Sequence, residues 1–231
     1  MTDFSQLVLR TPRLTLRPLL PADAPAVYAM HADPVTLRYW STPPWADPAL
    51  ADDMIARDVA AMAAGDYIRL GLERQPGGRL IGLCTLFAFC LPSRRCEIGY
   101  ILQRDCWGQG LMNEALRTLL DYGFGMLALH RVEADIDPRN AGSRRTLDRL
   151  GFVQEGLLRE RWIVAGEVCD TALLGLLRRD WLAGGHPGDP GSPVASAATS
   201  ANPHADPHAD PHADPRADPR ADPHAKAPRQ G

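Results

Sequence analysis

The chain has 231 residues, 45% of them hydrophobic and 23% charged, with a formal net charge of −3. That length fits one domain of ordinary size plus an extension. The near-neutral charge without a basic block argues against a dedicated nucleic-acid binder, and the longest apolar run, around 82–91, is too short for a membrane span.

The first predicted strand runs from Leu14 to Leu19, where apolar residues alternate. Pro21 to Pro25 opens a short helix reaching about His31, with Asp23 its N-cap and Pro25 in its first turn. Asp47-Pro48 opens a longer helix that ends at Gly65, with Met54, Ile55, Val59 and Met62 on one face. Residues 68–73 and 80–89 read as a hairpin around Gly77-Gly78, and 95–102 as the next strand. A helix follows over 111–124, with Leu111, Ala115, Leu119 and Tyr122 on its inner stripe. Residues 131–136 form a strand, and 141–150 a helix closed by Gly151. Residues 152–164 and 169–177 make a closing hairpin around Ala165-Gly166. Strands that first meander and then cross over through helices predict one mixed α/β sheet in one domain, residues 1–182.

Composition changes after Trp181-Leu182. Beyond it the only aliphatic side chain larger than alanine is Val194, and the end repeats Ala-Asp-Pro-His, with Arg216 and Arg220 in the histidine slot. Proline every fourth residue blocks a helix, and nothing apolar offsets the entropy of ordering. Residues 183–231 are therefore expected to be a disordered low-complexity tail. His204, His208, His212 and His224 have the donor type for a metal, but a passive repeat is the reading preferred, and no metal is expected. Lysine occurs once, at Lys226, a bias that suggests a GC-rich coding sequence in which such repeats arise by slippage. Residues 1–4 lack a charged start followed by an apolar core, so a cytoplasmic protein without a signal peptide is expected. The five cysteines include no C-x-x-C pair and read as free thiols in a reducing compartment.

The most informative stretch is Trp107-Gly108-Gln109-Gly110-Leu111-Met112-Asn113-Glu114-Ala115, placed between the strand at 97–102 and a helix. A glycine turn at a helix start presents unpaired N–H groups and partial positive charge, a place that suits a phosphate. Position 113 is Asn, so the dinucleotide fingerprint fails, and Leu111-Met112 rules out a P-loop. Taken alone, the turn is equally an ordinary tight turn.

Together with Leu14-Thr15-Leu16-Arg17-Pro18-Leu19, Glu97-Ile98-Gly99-Tyr100, Asp137-x-x-Asn140-x-x-Ser143 and Leu150-Gly151-Phe152, this stretch resembles the GCN5-related N-acetyltransferase (GNAT) superfamily, and within it the ribosomal-protein alanine acetyltransferases. The resemblance spans about residues 10–180. It implies a single domain with a mixed, mostly antiparallel sheet flanked by helices, and acetyl transfer from acetyl-CoA to an amine. It implies that Trp107, Gly108, Gln109, Gly110, Leu111 and Met112 hold the cofactor's pyrophosphate. It implies that Ile101 and Leu102 offer main-chain groups to the pantetheine, one N–H polarising the thioester carbonyl. Trp107's ring reads as a packing wedge beside the loop.

Asn140 reads equally as an N-cap and as a donor to the pantetheine. Many superfamily members carry a tyrosine four residues before the Gly-Phe pair, where this chain has Leu147, which cannot donate a proton. Ser143 is the replacement hydroxyl the resemblance implies, the alternative being a serine that only satisfies its helix start. Glu97 is the first candidate for the base, against a structural carboxylate paired with a nearby arginine. Some relatives place a glutamate on the closing hairpin, where this chain has Trp162, with Glu160 two residues earlier. The acceptor is expected to meet residues 30–45, including Tyr39 and Trp40, and the hairpin at 159–167. A protein N-terminal amine and a small-molecule amine both fit, in a monomer or homodimer that touches neither membrane nor nucleic acid. A CoA-binding regulatory domain without turnover is the alternative that Leu147 motivates.

Overall fold

The computed structural model describes residues 2–184; of the expected tail it describes only Ala183 and Gly184, at the end of a helix, and the expectations for the rest, its histidines included, lie outside the described residues. In chain order the elements are β1 (Leu9–Arg10), β2 (Leu14–Arg17), a 3-10 turn (Pro21–Asp23), α1 (Ala24–Ala32), α2 (Ala49–Ala64), β3 (Ile68–Arg74), β4 (Arg79–Cys90), β5 (Arg95–Leu102), a second 3-10 turn (Arg104–Cys106), α3 (Leu111–Gly125), β6 (Arg131–Ile136), α4 (Ala141–Arg149), β7 (Val153–Val164), β8 (Glu167–Leu177) and α5 (Arg178–Ala183). The eight strands form one sheet in the order β1-β2-β3-β4-β5-β6-β8-β7. Every pair is antiparallel except β5 with β6, which α3 joins by a crossover. This is the mixed, mostly antiparallel α/β architecture expected.

Two apolar layers hold the sheet. Leu14, Leu70, Leu86 and Ile98 pack with Leu116, Leu120 and Phe124 of α3 and with Leu147 of α4. Leu83 and Ile101 pack with Val27 and Met30 of α1 and Ile55 of α2. A fully buried Leu of this kind contributes roughly 1.5–3 kcal/mol relative to exposure. Gly65, with φ 79°, ends α2 in the left-handed region, where its N–H reaches the carbonyls of Ala61 and Met62.

Several details depart from the sequence reading. Val59, expected on the inner face of α2, is 55% exposed, because the helix turns Met54, Ile55, Asp58 and Met62 inward. Asp23 makes no side-chain cap to α1; its carboxylate accepts instead from Arg17 (2.7 and 3.0 Å) and from the Leu20 N–H (2.7 Å). Tyr122 is only partly buried. The short β1 strand was not anticipated; two residues carry no readable period.

Candidate active site

Strands β5 and β6 pair over only three positions, Arg95 with Arg131, Cys96 with Val132 and Glu97 with Glu133. Strand β5 continues to Leu102 and β6 to Ile136, so the two part after Glu97 and leave a wedge-shaped gap in the sheet. The backbone phase of β5 decides what faces that gap. The N–H of Gln103 bonds to the Ile81 carbonyl on β4 (2.8 Å), and the Ile101 carbonyl lies against Gly82 of the same strand. Main-chain groups alternate sides along a strand, so those of Tyr100 and Leu102 point away from β4, toward the gap. Of the expected pair, Leu102 thus faces the gap and Ile101 does not; Tyr100 takes its place. The Leu102 carbonyl is already engaged by the indole N–H of Trp107 (2.8 Å).

The loop after β5 leads from the gap to α3. Gly108 (φ 72°) and Gly110 (φ 74°) both sit in the left-handed region that side chains disfavour. An added Cβ at Gly108 would meet nothing within 4 Å, and one at Gly110 only the Arg13 guanidinium at 3.7 Å, so open space lies before the turn. Gly110 is the N-cap of the 15-residue α3 and supplies no side-chain cap, so the N–H groups of Leu111 and Met112 lack intrahelical partners. Their side chains are buried, which leaves the backbone as the outward surface of the turn. Gln109 bonds through its side chain to the Asp105 carbonyl (2.9 Å). Trp107 stands beside the loop, 47% exposed and held by its indole bond.

Residues far off in sequence clasp this turn. Arg13 bonds to the Gln109 carbonyl (3.0 Å) and to Glu114 (2.6 Å), and Thr11 adds a second bond to Glu114 (2.5 Å). Nothing in the local pattern marks Arg13, because its partners lie about a hundred residues on.

Across the gap, the Asp137-x-x-Asn140-x-x-Ser143 spacing makes two successive three-residue links. The Asn140 N–H bonds to the Asp137 carbonyl (2.9 Å), and the Asn140 Oδ1 accepts from the Ser143 N–H (3.0 Å). Asn140 therefore caps α4, while its amide nitrogen makes no hydrogen bond among the described residues. The Ser143 hydroxyl does not serve the helix start. It lies 2.6 Å from the Tyr100 hydroxyl, a contact that spans from β5 to α4. Leu147 is buried in the core behind it.

Side chains also alternate, so Glu97 shares the face of Ile101, opposite Tyr100 and Ser143. Glu97 is half-buried and makes no hydrogen bond or ion pair among the described residues. Burial raises its pKa to about 7, reinforced by Asp135 and Glu133 and opposed by Arg95 and Arg161. Glu133, by contrast, is paired with Arg95 (2.8 Å) and Arg131 (2.7 Å). Glu160 is exposed, at a bulge where its N–H bonds to Asp170 (2.8 Å), and Trp162 lies under the Arg161 guanidinium (5.5 Å).

The loop between α1 and α2 closes this face. Trp45 stacks on His31 (4.2 Å) and Trp40 meets its edge (5.6 Å), so both tryptophans hold the loop. Burial lowers His31 to about 4, against its bond to the Val27 carbonyl, so the ring is neutral. Tyr39 is more exposed, between the guanidiniums of Arg38 (5.4 Å) and Arg139 (5.9 Å). Glu167, in the β7–β8 hairpin, pairs with both arginines, tying hairpin, loop and α4 entry together. No cluster of metal-ligating residues occurs among the described residues.

Residues 13–153 match the family model of the acetyltransferase (GNAT) domain. The chain is 35% identical over 173 residues to an uncharacterized N-acetyltransferase, p20, of Bacillus licheniformis, covering 75% of this chain and 97% of that one. It is 35% identical over 89 residues to the ribosomal protein uS5 alanine N-acetyltransferase of Escherichia coli, covering 38% of this chain and 46% of that one. The fold matches that of spermidine N-acetyltransferase from Vibrio cholerae, solved with CoA and spermine, with TM-score 0.67 and 23% identity over 74% of this chain and 99% of that one.

Proposed function

The chain belongs to the GNAT acetyltransferase family, and from that premise we propose that it transfers the acetyl group of acetyl-CoA to a primary amine by direct attack within a ternary complex. The observation that carries this reading is the gap between β5 and β6, which opens beside the double-glycine turn at the head of α3. The turn's free N–H groups hold the pyrophosphate, residues 107–112 supplying its backbone. The pantetheine runs into the gap along Tyr100 and Leu102, with the Asn140 amide as a further donor. The main-chain N–H groups there polarise the thioester carbonyl.

The two faces of the sheet then divide the chemistry. The amine approaches on the face of Glu97, the carboxylate there that no arginine pairs among the described residues. Glu97 takes the amine proton, its pKa near 7 matched to that task. The nitrogen–carbon bond forms, the carbon–sulfur bond breaks, and the sulfur leaves on the opposite face, toward the Ser143 hydroxyl. Residues 1–182 carry all of this. The acceptor is a protein N-terminal amine or a small-molecule amine, as the names of the two relatives with stated acceptors suggest.

CoA release measured against a panel of N-terminal peptides and small amines tests the proposal. Turnover with one amine class is expected. Tight CoA binding without release across the panel would instead mark a binding domain without turnover.

A further inference from the structure

The 2.6 Å contact between Tyr100 and Ser143 has no role in the mechanism above. Tyr100 Oη has no hydrogen-bonding partner among the described residues other than Ser143, whose carbonyl it also approaches at 3.4 Å. Ser143 Oγ likewise has Tyr100 alone. Either hydroxyl can be the donor of such a pair. Burial pushes the Tyr100 phenol upward, so it keeps its proton throughout the neutral range. A phenol is also the stronger acid of the two, which makes it the better donor. With Tyr100 donating to Oγ, the hydrogen of Ser143 is left unspent. The position of Ser143 is meanwhile fixed by the Asn140 bond to its N–H.

We propose that Tyr100 is a positioning residue that turns the Ser143 O–H toward the leaving sulfur in the gap between β5 and β6. The inference rests on the acetyl-transfer reading above. No proton leaves either hydroxyl. The sulfur departs with the electron pair of the carbon–sulfur bond, Ser143 donates a hydrogen bond to the thiolate, and solvent protonates it on release. Tyr100 strengthens that donation by polarising the Ser143 hydroxyl, since chained hydrogen bonds reinforce one another.

The test uses the full chain with CoA; its thiol titration needs no knowledge of the acceptor, and kcat is read with the amine that the CoA-release panel identifies. Calorimetry first establishes CoA binding by the wild-type protein. The thiol of bound CoA is then titrated by its thiolate absorbance in wild type, Tyr100→Phe, Ser143→Ala and the double variant. Tyr100→Phe is expected to move the midpoint up by about half to one pH unit, and to lower kcat by about threefold to tenfold at unchanged KM for acetyl-CoA, the scale of one hydrogen bond. In the Ser143→Ala background Tyr100→Phe should change neither quantity. An unmoved midpoint, or the same change with Ser143 absent, overturns the role for Tyr100. Absence of CoA binding by the wild type would instead overturn the acetyl-transfer reading and this inference with it. Should Tyr100→Phe fail to fold, 3-fluorotyrosine at position 100 keeps the hydroxyl, makes it a stronger donor and should shift the midpoint down; no shift overturns the inference.

Discussion

Asp58 and Glu97 are two carboxylates that leave water on folding, and the molecule treats them in opposite ways. Asp58, on α2, meets the Arg69 guanidinium at 2.8 Å and the Tyr67 hydroxyl at 2.5 Å, and Arg69 is only 1% exposed. Burial raises the Asp58 pKa while Arg69 and Tyr67 pull it back. Glu97, at the fork of β5 and β6, has no such partner, and its neighbouring carboxylates add to the effect of burial. A buried charge fixed by a guanidinium serves packing and register. A buried charge left without one is available to exchange a proton near neutral pH. The difference arises from continuity of the sheet: Arg69 lies on β3, paired along its length to β4, whereas Glu97 stands at the last rung before β6 departs.

The largest expected effect breaks the structural side of this contrast. Asp58→Ala removes the carboxylate from a buried pair and should cost about 3–5 kcal/mol of folding stability. Chemical denaturation reads this directly, and a loss near that of a surface substitution would show that Asp58 does not anchor Arg69.

Glu97→Gln breaks the chemical side. It should lower kcat/KM roughly a hundredfold, the low end of what a positioned base supplies. With the folded pKa raised to about 7, the competent carboxylate is lost as pH falls through 7, so wild-type activity should rise across that point. In the variant only the acceptor amine's own titration should remain. The same shift has a stability sign: Glu97 favours the fold below its ordinary carboxylate range, and that contribution is lost as pH rises toward 7. Glu97→Gln should therefore melt no lower than wild type at pH 8. A pH–rate profile unchanged by the variant would remove Glu97 as the base.

Gly110→Val asks whether the fork depends on the turn beside it. A β-branched residue at φ 74° is strained and intrudes on the space before α3, so acetyl-CoA affinity should fall at least tenfold, or about 1.4 kcal/mol. Calorimetric titration of the folded variant decides it, and unchanged affinity would detach the pyrophosphate from this loop.

The smallest effect lies outside both regions. A chain ending at Gly184 should melt within about 2 °C of the full chain and turn over at the same rate, since docking worth even 1 kcal/mol would shift a domain this size by roughly 2–4 °C. A larger loss would give residues 185–231 a part in folding or substrate delivery.

Much of this was legible in the sequence because it is local. Strand β5 occupies the predicted 95–102 and β6 the predicted 131–136, and α3 begins where Gly110 ends the turn. The Asn140-x-x-Ser143 spacing encodes a helix cap, a three-residue device that needs no tertiary partner. Val59 was misplaced because period alone cannot tell a helix's rim from its inner face.

What only the tertiary structure decided is the chemistry of facing groups. The phase that turns Tyr100 and Leu102, not Ile101, toward the gap depends on the register of β5 against β4. The Tyr100–Ser143 contact joins residues 43 apart, and the Arg13–Glu114 clasp joins residues 101 apart. Glu97 acquires its pKa from burial and from carboxylates on another strand. Hydrophobic period, glycine and capping residues act within a turn or two of chain and can be read there. Hydrogen bonds and charges act through space, so their partners exist only once the sheet has brought distant segments together.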